Sequence, residues 1–281
     1  MREISCAALQ AAVTELFLKA NREIAPDIRQ AMEAARDAET SPAARYALEQ
    51  LVDNYDCARE DGLPICQDTG MAVLFAEVGQ EVHFTGGQFT DAVNAGVREA
   101  YVRGLLRKSV VADPLFDRRN TLDNCPAIIH ASIVPGDRVR LLAIAKGFGS
   151  ENMSRVGMLT PSAGEQGVFI YIVETARLAG PNPCPPIVVG VGIGGDFEQA
   201  ALMAKHATAR PLGQRHPDPR YADLENRALD AINALGIGAA GYGGLTTVLN
   251  VAIESAPTHI AGLPVAVNIC CHASRHAETT L

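Results

Sequence analysis

Three cysteines lie where the chain turns sharply, and they constrain the fold because remote loops must come together if the three act jointly. Cys66 lies in segment 64–70, prolines enclose Cys184 in segment 182–186, and Cys271 follows an apolar run. Prolines remove N–H donors and fix the backbone, so a cysteine among them suits a rigid ligand better than a core residue. Three thiolates can hold an iron–sulfur cluster and leave one iron open for chemistry. The sequence thus suggests such a cluster.

The remaining four cysteines are interpreted as small core hydrophobes, which is the ordinary role of this residue type. They are Cys6, Cys57, Cys125 and Cys270. Cys270 ends a predicted strand, whose alternation directs it away from the side of Cys271. Scattered cysteines are a less specific signal of ligation than a Cys-x-x-Cys pair. Their spacing alone therefore leaves open the alternative that the chain is a structural subunit and that all seven cysteines are core residues.

Charge and cysteine content exclude several classes of protein. The formal net charge of -8 argues against nucleic-acid binding, so an anionic substrate needs a local cationic pocket. Seven cysteines among 281 residues are too sparse for a disulfide framework, which favours the reducing cytoplasm. The start of the chain lacks the pattern of a signal peptide, and no apolar run reaches the roughly 18–20 residues of a membrane helix.

The hydrophobic pattern predicts a mixed α/β (α+β) fold, with helices packed on a mixed sheet. Helical spacing over residues 1–61 predicts a helical N-terminal lobe. Two apolar runs, 127–134 and 138–145, flank Pro135-Gly136-Asp137 and predict a β-hairpin. No linker separates the later helices and strands, so we expect one catalytic domain over residues 1–281.

A glycine motif offers a competing interpretation, a nucleotide-binding or regulatory module. Residues 190–195 match G-x-G-x-x-G between a predicted strand and a predicted helix. The acidic residue expected about 20 positions later is missing, and residues 236–241 repeat the motif in an unsuitable context. Such matches are expected by chance in a chain with 25 glycines. Glycines at these positions also allow the backbone to approach a bulky group closely.

Single polar residues are ambiguous when taken alone. His259 lies between two predicted strands, where a loop contact is the ordinary interpretation and substrate binding the alternative. Arg107 and Lys146 precede unusual loops and are otherwise typical of solvated charges.

Taken together, several ordered segments resemble the alpha subunit of two-subunit class I fumarate hydratases and tartrate dehydratases, which are iron–sulfur hydro-lyases. The resemblance covers nearly the whole chain. The segments are Pro-Ile-Cys66-Gln-Asp-Thr-Gly, Leu106-Arg107-Lys108-Ser109, Asp123-Asn124 with Pro126, residues 146–152, Cys184-Pro-Pro with the glycine motif, and Cys271-His-Ala-Ser-Arg275.

The resemblance implies a role for individual residues. The three ligands of a 4Fe–4S cluster are Cys66, Cys184 and Cys271, with Cys271 preferred to Cys270 because the following Ala-x-Arg keeps the family register. The residues implied around a small dicarboxylate are Gln67, Asp68, Arg107, Gly149 and His259. Of these, Asp68, Arg107 and His259 are the catalytic candidates.

The resemblance also implies a partner, because fused members of the family supply a threonine acid/base and further carboxylate clamps from a second domain. We therefore expect a beta subunit to complete the site, in an α2β2 assembly in the cytoplasm. The expected reaction is the reversible dehydration of (S)-malate to fumarate, a step of the tricarboxylic acid cycle, and L-tartrate dehydration is the alternative.

Overall fold

The structure is a computed structural model that describes all 281 residues. Its internal contacts divide the chain into two compact units. Unit 1 comprises Met1–Ala25, Tyr55–Phe148 and Arg275–Leu281, and unit 2 comprises Pro26–Asn54 and Gly149–Ser274. Both units are thus built from segments that are remote in sequence, and the single catalytic domain stays a prediction.

Helices and strands alternate irregularly, as the mixed α/β prediction requires, and that fold class is confirmed. In chain order the elements are β1 (Arg2–Ser5), α1 (Cys6–Arg22), α2 (Pro26–Ala38), α3 (Pro42–Asp61), β2 (Met71–Gly79), β3 (Val82–Thr85), α4 (Phe89–Arg103), β4 (Ile128–Val134), β5 (Val139–Lys146), α5 (Phe148–Glu151), β6 (Arg155–Leu159), α6 (Gly164–Ala179), β7 (Ile187–Gly195), α7 (Phe197–Ala207), α8 (Pro219–Asn233), β8 (Val248–Thr258), β9 (Leu263–Cys270) and β10 (His276–Thr280).

The sheet of unit 1 has the order β10-β5-β2-β4, with β2 parallel to β4 and antiparallel to β5. The predicted hairpin of β4 and β5 is therefore wrong, because β2 lies between the two strands. Their connection crosses the end of β2, where Gly79 N–H donates to Arg138 O and Gln80 N–H donates to Val134 O, both at 2.8 Å. Strands two places apart are about 9–10 Å from each other, a gap that a few extended residues span.

Helices α1 and α4 form the helical layer of unit 1. Ser5 caps α1, since its hydroxyl accepts from Ala8 N–H at 3.1 Å. Gly96 of α4 allows the two helices to approach closely, because a Cβ there would lie 2.7 Å from Gln10 O. The core between helices and sheet includes Leu9, Val13, Phe17, Leu74, Val97, Tyr101 and Leu141.

Unit 2 is built on a sheet with the order β6-β9-β7-β8. Alternate residues of β7 face opposite sides, so Val189 and Val191 join the core formed with α6 and α8. The other side of β7 carries glycines toward α7: a Cβ on Gly190 would lie 2.1 Å from Ala204 O, and one on Gly192 would lie 2.0 Å from Ala200 O. The first glycine motif thus lies within a strand and permits close helix packing.

The N-terminal helices are present as predicted, but β1 precedes them and they are divided between the units, with α1 in unit 1 and α2 in unit 2. Within its unit, α1 packs with α4, and α2 contacts β8. Strands β6 and β10 were not expected from the sequence either. No helix of the structure is both long enough and apolar enough to cross a bilayer.

Glu39, between α2 and α3, is a buried carboxylate that ties this junction to a later turn of unit 2. One oxygen accepts from Thr40 and Ser41 N–H at 2.9 Å each, and the other accepts from Leu245 N–H at 2.8 Å. Burial by itself raises the pKa of Glu39, but these backbone donors outweigh it and hold the pKa below its usual range.

Gly192→Ala tests the close packing of β7 and α7. We expect the free energy of unfolding to fall by about 1–3 kcal/mol, because the new methyl group meets a backbone oxygen that can move only with its helix. Gly213→Ala is the matched control, since a Cβ there meets nothing within 4 Å. Urea unfolding of both variants provides the measurement, and equal stabilities would contradict the packing role.

Glu39→Gln should lower the free energy of unfolding at pH 7 by about 1–3 kcal/mol, because a buried acceptor facing backbone donors is lost. Since the folded pKa is depressed, the carboxylate stabilises the fold above its unfolded pKa of about 4.3 and loses that effect as the pH falls through the folded value. The difference between variant and parent should therefore shrink in acid. Glu49→Gln, at an exposed position of α3, should leave stability unchanged at both pH values.

Candidate active site

Three of the residues predicted around the substrate line one cleft of about 560 Å³ in unit 1: Gln67, Asp68 and Arg107. Gln67 and Asp68 lie between α3 and β2, and Arg107 follows α4. The complete lining is Gln67, Asp68, Gly70, Met71, Arg107, Ser109, Val110, Val111, Pro114, Arg118 and Phe148. The structure therefore brings together two segments that are about 40 residues apart in sequence.

Hydrogen bonds from side chains hold these two segments beside each other. Thr69 Oγ1 donates to Arg107 O at 2.9 Å. The buried Tyr101 hydroxyl donates to the carbonyls of Thr69 and Gly70 at 2.8 and 2.9 Å. Burial raises the pKa of Tyr101, so its hydroxyl keeps the proton that it donates.

Asn124 adds a second bridge between the same segments. Its Nδ2 donates to Gly70 O at 3.2 Å, and its Oδ1 accepts from Ser109 N–H at 2.7 Å. Asn124 is fully buried and has a φ of 61°, a left-handed conformation that asparagine tolerates better than most residues. Asn124 was part of the family resemblance without an assigned role, and the structure shows that it positions the cleft.

Asp68 is fixed by backbone donors on both of its oxygens. Oδ1 accepts from Gly70 N–H at 3.0 Å, and Oδ2 accepts from Phe148 N–H at 2.8 Å. A Cβ on Gly147 would lie 3.3 Å from Asp68 Oδ2 and 3.1 Å from Nη2 of the buried Arg275. The carboxylate is thus held in one orientation, and Gly147 leaves the room that it needs.

The cleft is also lined by Arg118 and Ser109, and the sequence did not predict that these two side chains would lie there. Both belong to a short hairpin that we call the arm, residues 108–122. Val111 pairs with Asn120 across the arm, and Thr121 N–H donates to Val110 O at 2.9 Å. Arg118 lies beside Arg119 in a polar loop, which is a sequence context typical of solvated charges. Its place in the cleft therefore follows from the fold and not from any local sequence signal.

Two of the three predicted cluster ligands are neighbours in unit 2. The pairing of β7 with β9 sets Val188 opposite Cys270, and His272 N–H donates to Cys184 O at 3.4 Å. The loops that carry Cys184 and Cys271 therefore meet at the same end of these strands. Cys66, the third predicted ligand, lies in unit 1, where its Sγ is 3.5 Å from Gln67 Oε1.

Burial separates the predicted ligands from most of the other cysteines. Cys184 is exposed, and Cys66 and Cys271 are half-buried. Cys6, Cys125 and Cys270 are buried, and only Cys57 among the four core candidates is exposed. Cys270 thus turns to the interior while Cys271, one residue later, stays accessible.

The loop of Cys184 is held in an unusual conformation. Cys184 has a φ of 55°, a left-handed backbone that costs a non-glycine residue about 1–2 kcal/mol. A glycine-rich turn, residues 236–244, packs on this loop, with Ala240 N–H donating to Pro185 O at 2.8 Å. Backbone strain of this kind concentrates at functional sites.

The remaining predicted site residues, Gly149 and His259, lie in unit 2. Gly149 is exposed in α5, and the nearest atom to a Cβ there would be Asn182 O at 3.9 Å. His259 is exposed in the turn between β8 and β9, and its Nδ1 accepts from Ala261 N–H at 3.2 Å. Lys146, which the sequence left as a possible solvated charge, is instead 1% exposed at the end of β5.

No three His, Cys, Asp or Glu side chains of the structure form a group that could hold a metal ion. The donors themselves are of the type that an iron–sulfur cluster takes, because such clusters are held by cysteine sulfur and all three side chains are at least partly accessible. The chemistry of the three cysteines therefore fits the predicted group.

Comparisons with known proteins identify the family. The chain matches the family model described as "Fumarate hydratase (Fumerase)" over residues 10–280. It is 40% identical over 270 residues to a Methanocaldococcus jannaschii protein named "Putative L(+)-tartrate dehydratase subunit alpha", and the match covers 94% of each chain. It is 34% identical over 262 residues to the L(+)-tartrate dehydratase subunit alpha of Escherichia coli K12 and of Shigella sonnei, covering 90% of this chain and 86% of each relative. The resemblance seen in the sequence is thereby confirmed, and the chain belongs to the fumarate hydratase family.

Proposed function

We propose that the chain is the alpha subunit of a 4Fe–4S hydro-lyase that reversibly dehydrates (S)-malate to fumarate, with Cys66, Cys184 and Cys271 as the cluster ligands. The observation that carries the proposal is the cleft of unit 1, on which Gln67, Asp68 and Arg107 meet. Gln67 and Asp68 belong to one segment and Arg107 to another, and the fold brings the two segments to one surface.

The charges of the cleft suit a small dicarboxylate. Two guanidinium groups line it, Arg107 and Arg118, and neither lies within 4.0 Å of a carboxylate oxygen, whereas Arg98 and Arg103 of the same unit pair with Asp123 and with Glu15 and Glu99. Arg118 Nη1 donates to Pro114 O at 2.5 Å, which leaves the other N–H groups of Arg118 for a substrate. Asp68, the only carboxylate in the lining, already accepts two backbone N–H groups. A planar guanidinium can bind both oxygens of a carboxylate, so two of them match the two ends of malate.

Dehydration requires help at both reacting carbons. The cluster, when bound through three thiolates, supplies a Lewis acid for the departing hydroxyl group. Arg107 stabilises the charge that accumulates on the carboxylate next to the carbon that loses its proton, and Arg118 binds the carboxylate at the other end. Asp68 and His259 are the acid/base candidates of this chain, and a second subunit supplies the base for C3.

L-Tartrate is the second candidate substrate, because the relatives from Escherichia coli and Shigella sonnei are named tartrate dehydratase subunits. Tartrate differs from malate by one hydroxyl group, and the cleft offers Ser109 and Gln67 as polar partners for it. The nucleotide-binding alternative loses its support, since Gly190 and Gly192 face α7 inside a strand.

Cys184→Ser tests ligation by comparison with Cys57→Ser, the other exposed cysteine. After anaerobic reconstitution with iron and sulfide, Cys184→Ser should lose most of its bound iron, acid-labile sulfide and visible absorbance, because a hydroxyl is a poor cluster ligand. Cys57→Ser should keep all three. Turnover of malate and of L-tartrate, measured with the second subunit present, should fall only for Cys184→Ser. Full iron content in Cys184→Ser would refute ligation, and the ratio of the two turnovers decides the substrate.

Arg118→Gln tests the second guanidinium, with Arg119→Gln as the neighbouring control. Arg119 is exposed and lies 3.9 Å from Asp117, outside the lining of the cleft. A lost hydrogen-bonded contact to a charged group, about 1.5–3 kcal/mol, should lower kcat/KM about 10- to 100-fold for Arg118→Gln. Complex formation with the second subunit is measured in parallel, so that a loss of assembly is not mistaken for a loss of binding. Equal kinetics for both variants would exclude Arg118 from the site.

A further inference from the structure

The arm has two sides with different chemistry. Its inner side lines the cleft with Ser109, Val110, Val111, Pro114 and Arg118. Its tip carries Leu115 and Phe116, whose side chains are 70% and 84% exposed. Large apolar side chains that are adjacent and this exposed mark an interaction site more often than chance placement.

The tip is ordered, so its exposure is not that of an unstructured loop. Asp113 Oδ1 accepts from the N–H groups of Leu115, Phe116 and Asp117. The Phe116 N–H contributes most to holding the pKa of Asp113 below its usual range. The two strands of the arm are closed by Ala112 N–H, which donates to Arg119 O at 2.8 Å. A fixed turn therefore presents the two apolar side chains outward, as a rigid anchor for binding.

Two further exposed leucines lie near the base of the arm in the sequence, Leu105 before it and Leu122 as its last residue. Leu105 and Leu122 are 84% and 73% exposed, and their φ values are 52° and 66°. The left-handed φ of Leu105 closes the C-terminal end of α4, since Leu106 N–H donates to Tyr101 O at 3.0 Å and Leu105 N–H donates to Val102 O at 3.3 Å. Leu122 N–H donates to Asn120 Oδ1 at 2.7 Å. The exposure of the two leucines, and not their backbone conformation, therefore extends the apolar surface of the arm.

We propose that the arm is the surface on which the second subunit of the hydro-lyase docks, with Leu115 and Phe116 inserted into an apolar recess of that subunit. The identity of the partner rests on the proposed function. Two observations favour this occupant: the relatives are named alpha subunits, and the inner side of the arm is a wall of the cleft. Under the proposed function a second subunit completes that cleft. A partner that reaches the cleft along this wall covers the tip.

Phe116→Asp tests the docking surface, and Phe197→Asp is the matched control, since Phe197 is 63% exposed at the start of α7 in unit 2. The second subunit is purified separately, and its binding to each variant is measured by calorimetric titration. The mass of the mixed sample is measured by light scattering after gel filtration. Phe116→Asp should weaken binding about 10- to 100-fold, as expected for an aromatic anchor, while Phe197→Asp binds like the parent chain. Leu115→Asp should weaken binding as well, and all three variants should unfold at the parent temperature because the side chains are exposed.

Several outcomes would overturn the proposal. Unchanged binding of both Phe116→Asp and Leu115→Asp would show that the arm is not the interface, and equal weakening by Phe197→Asp would show a nonspecific effect of charge. Self-association of the chain alone that Phe116→Asp abolishes would identify a second copy as the occupant. Since binding is measured without turnover, the loss of iron or of activity in the parent complex would count against the proposed function and leave the docking result intact.

Discussion

The cleft depends on a small set of buried hydrogen bonds between two remote segments. Tyr101 and Asn124 donate to the carbonyls of Thr69 and Gly70, and Asn124 also accepts from Ser109 N–H. Thr69 and Gly70 are buried, so the contacts to their carbonyls satisfy groups that burial would otherwise leave without water, and losing such a contact costs more than forming it contributes. The donors come from side chains that are themselves fully buried, which makes the geometry of the cleft a consequence of the core of unit 1.

The strands and helices with clear periodicity could be predicted, and the sheet order could not. The runs that form β4 and β5 were recognised, and Pro135-Gly136-Asp137 is sound turn chemistry, yet β2 separates the two strands. A turn motif indicates that the chain reverses direction. It does not indicate whether a third strand lies between the two strands that the turn connects. Short strands such as β6 and β10 also escape prediction, because five residues show too little alternation to be distinguished from a loop.

For the site as well, residues within local sequence motifs could be predicted, whereas residues placed by contacts with other parts of the chain could not. Cys270 and Cys271 could be assigned to opposite sides from strand alternation, and the burial of Cys270 agrees with that assignment. Gln67, Asp68 and Arg107 were found through their ordered motifs. Arg118 was missed because its position depends on the pairing of Val111 with Asn120 and on the turn at Asp113, which no local pattern around Arg118 encodes.

Electrostatics links the proposed substrate binding in the cleft to the proposed docking of a partner on the arm. A chain with a net charge of -8 repels a dianion at long range, so the proposed substrate would have to be held by contacts at short range. Under the proposed function Arg107 and Arg118 provide those contacts, and their attraction is strong only where water is excluded. A cleft that is open to solvent leaves both guanidinium groups hydrated. A subunit seated on the tip of the arm would remove that water, so the proposed docking surface and the proposed substrate wall are two sides of the same hairpin.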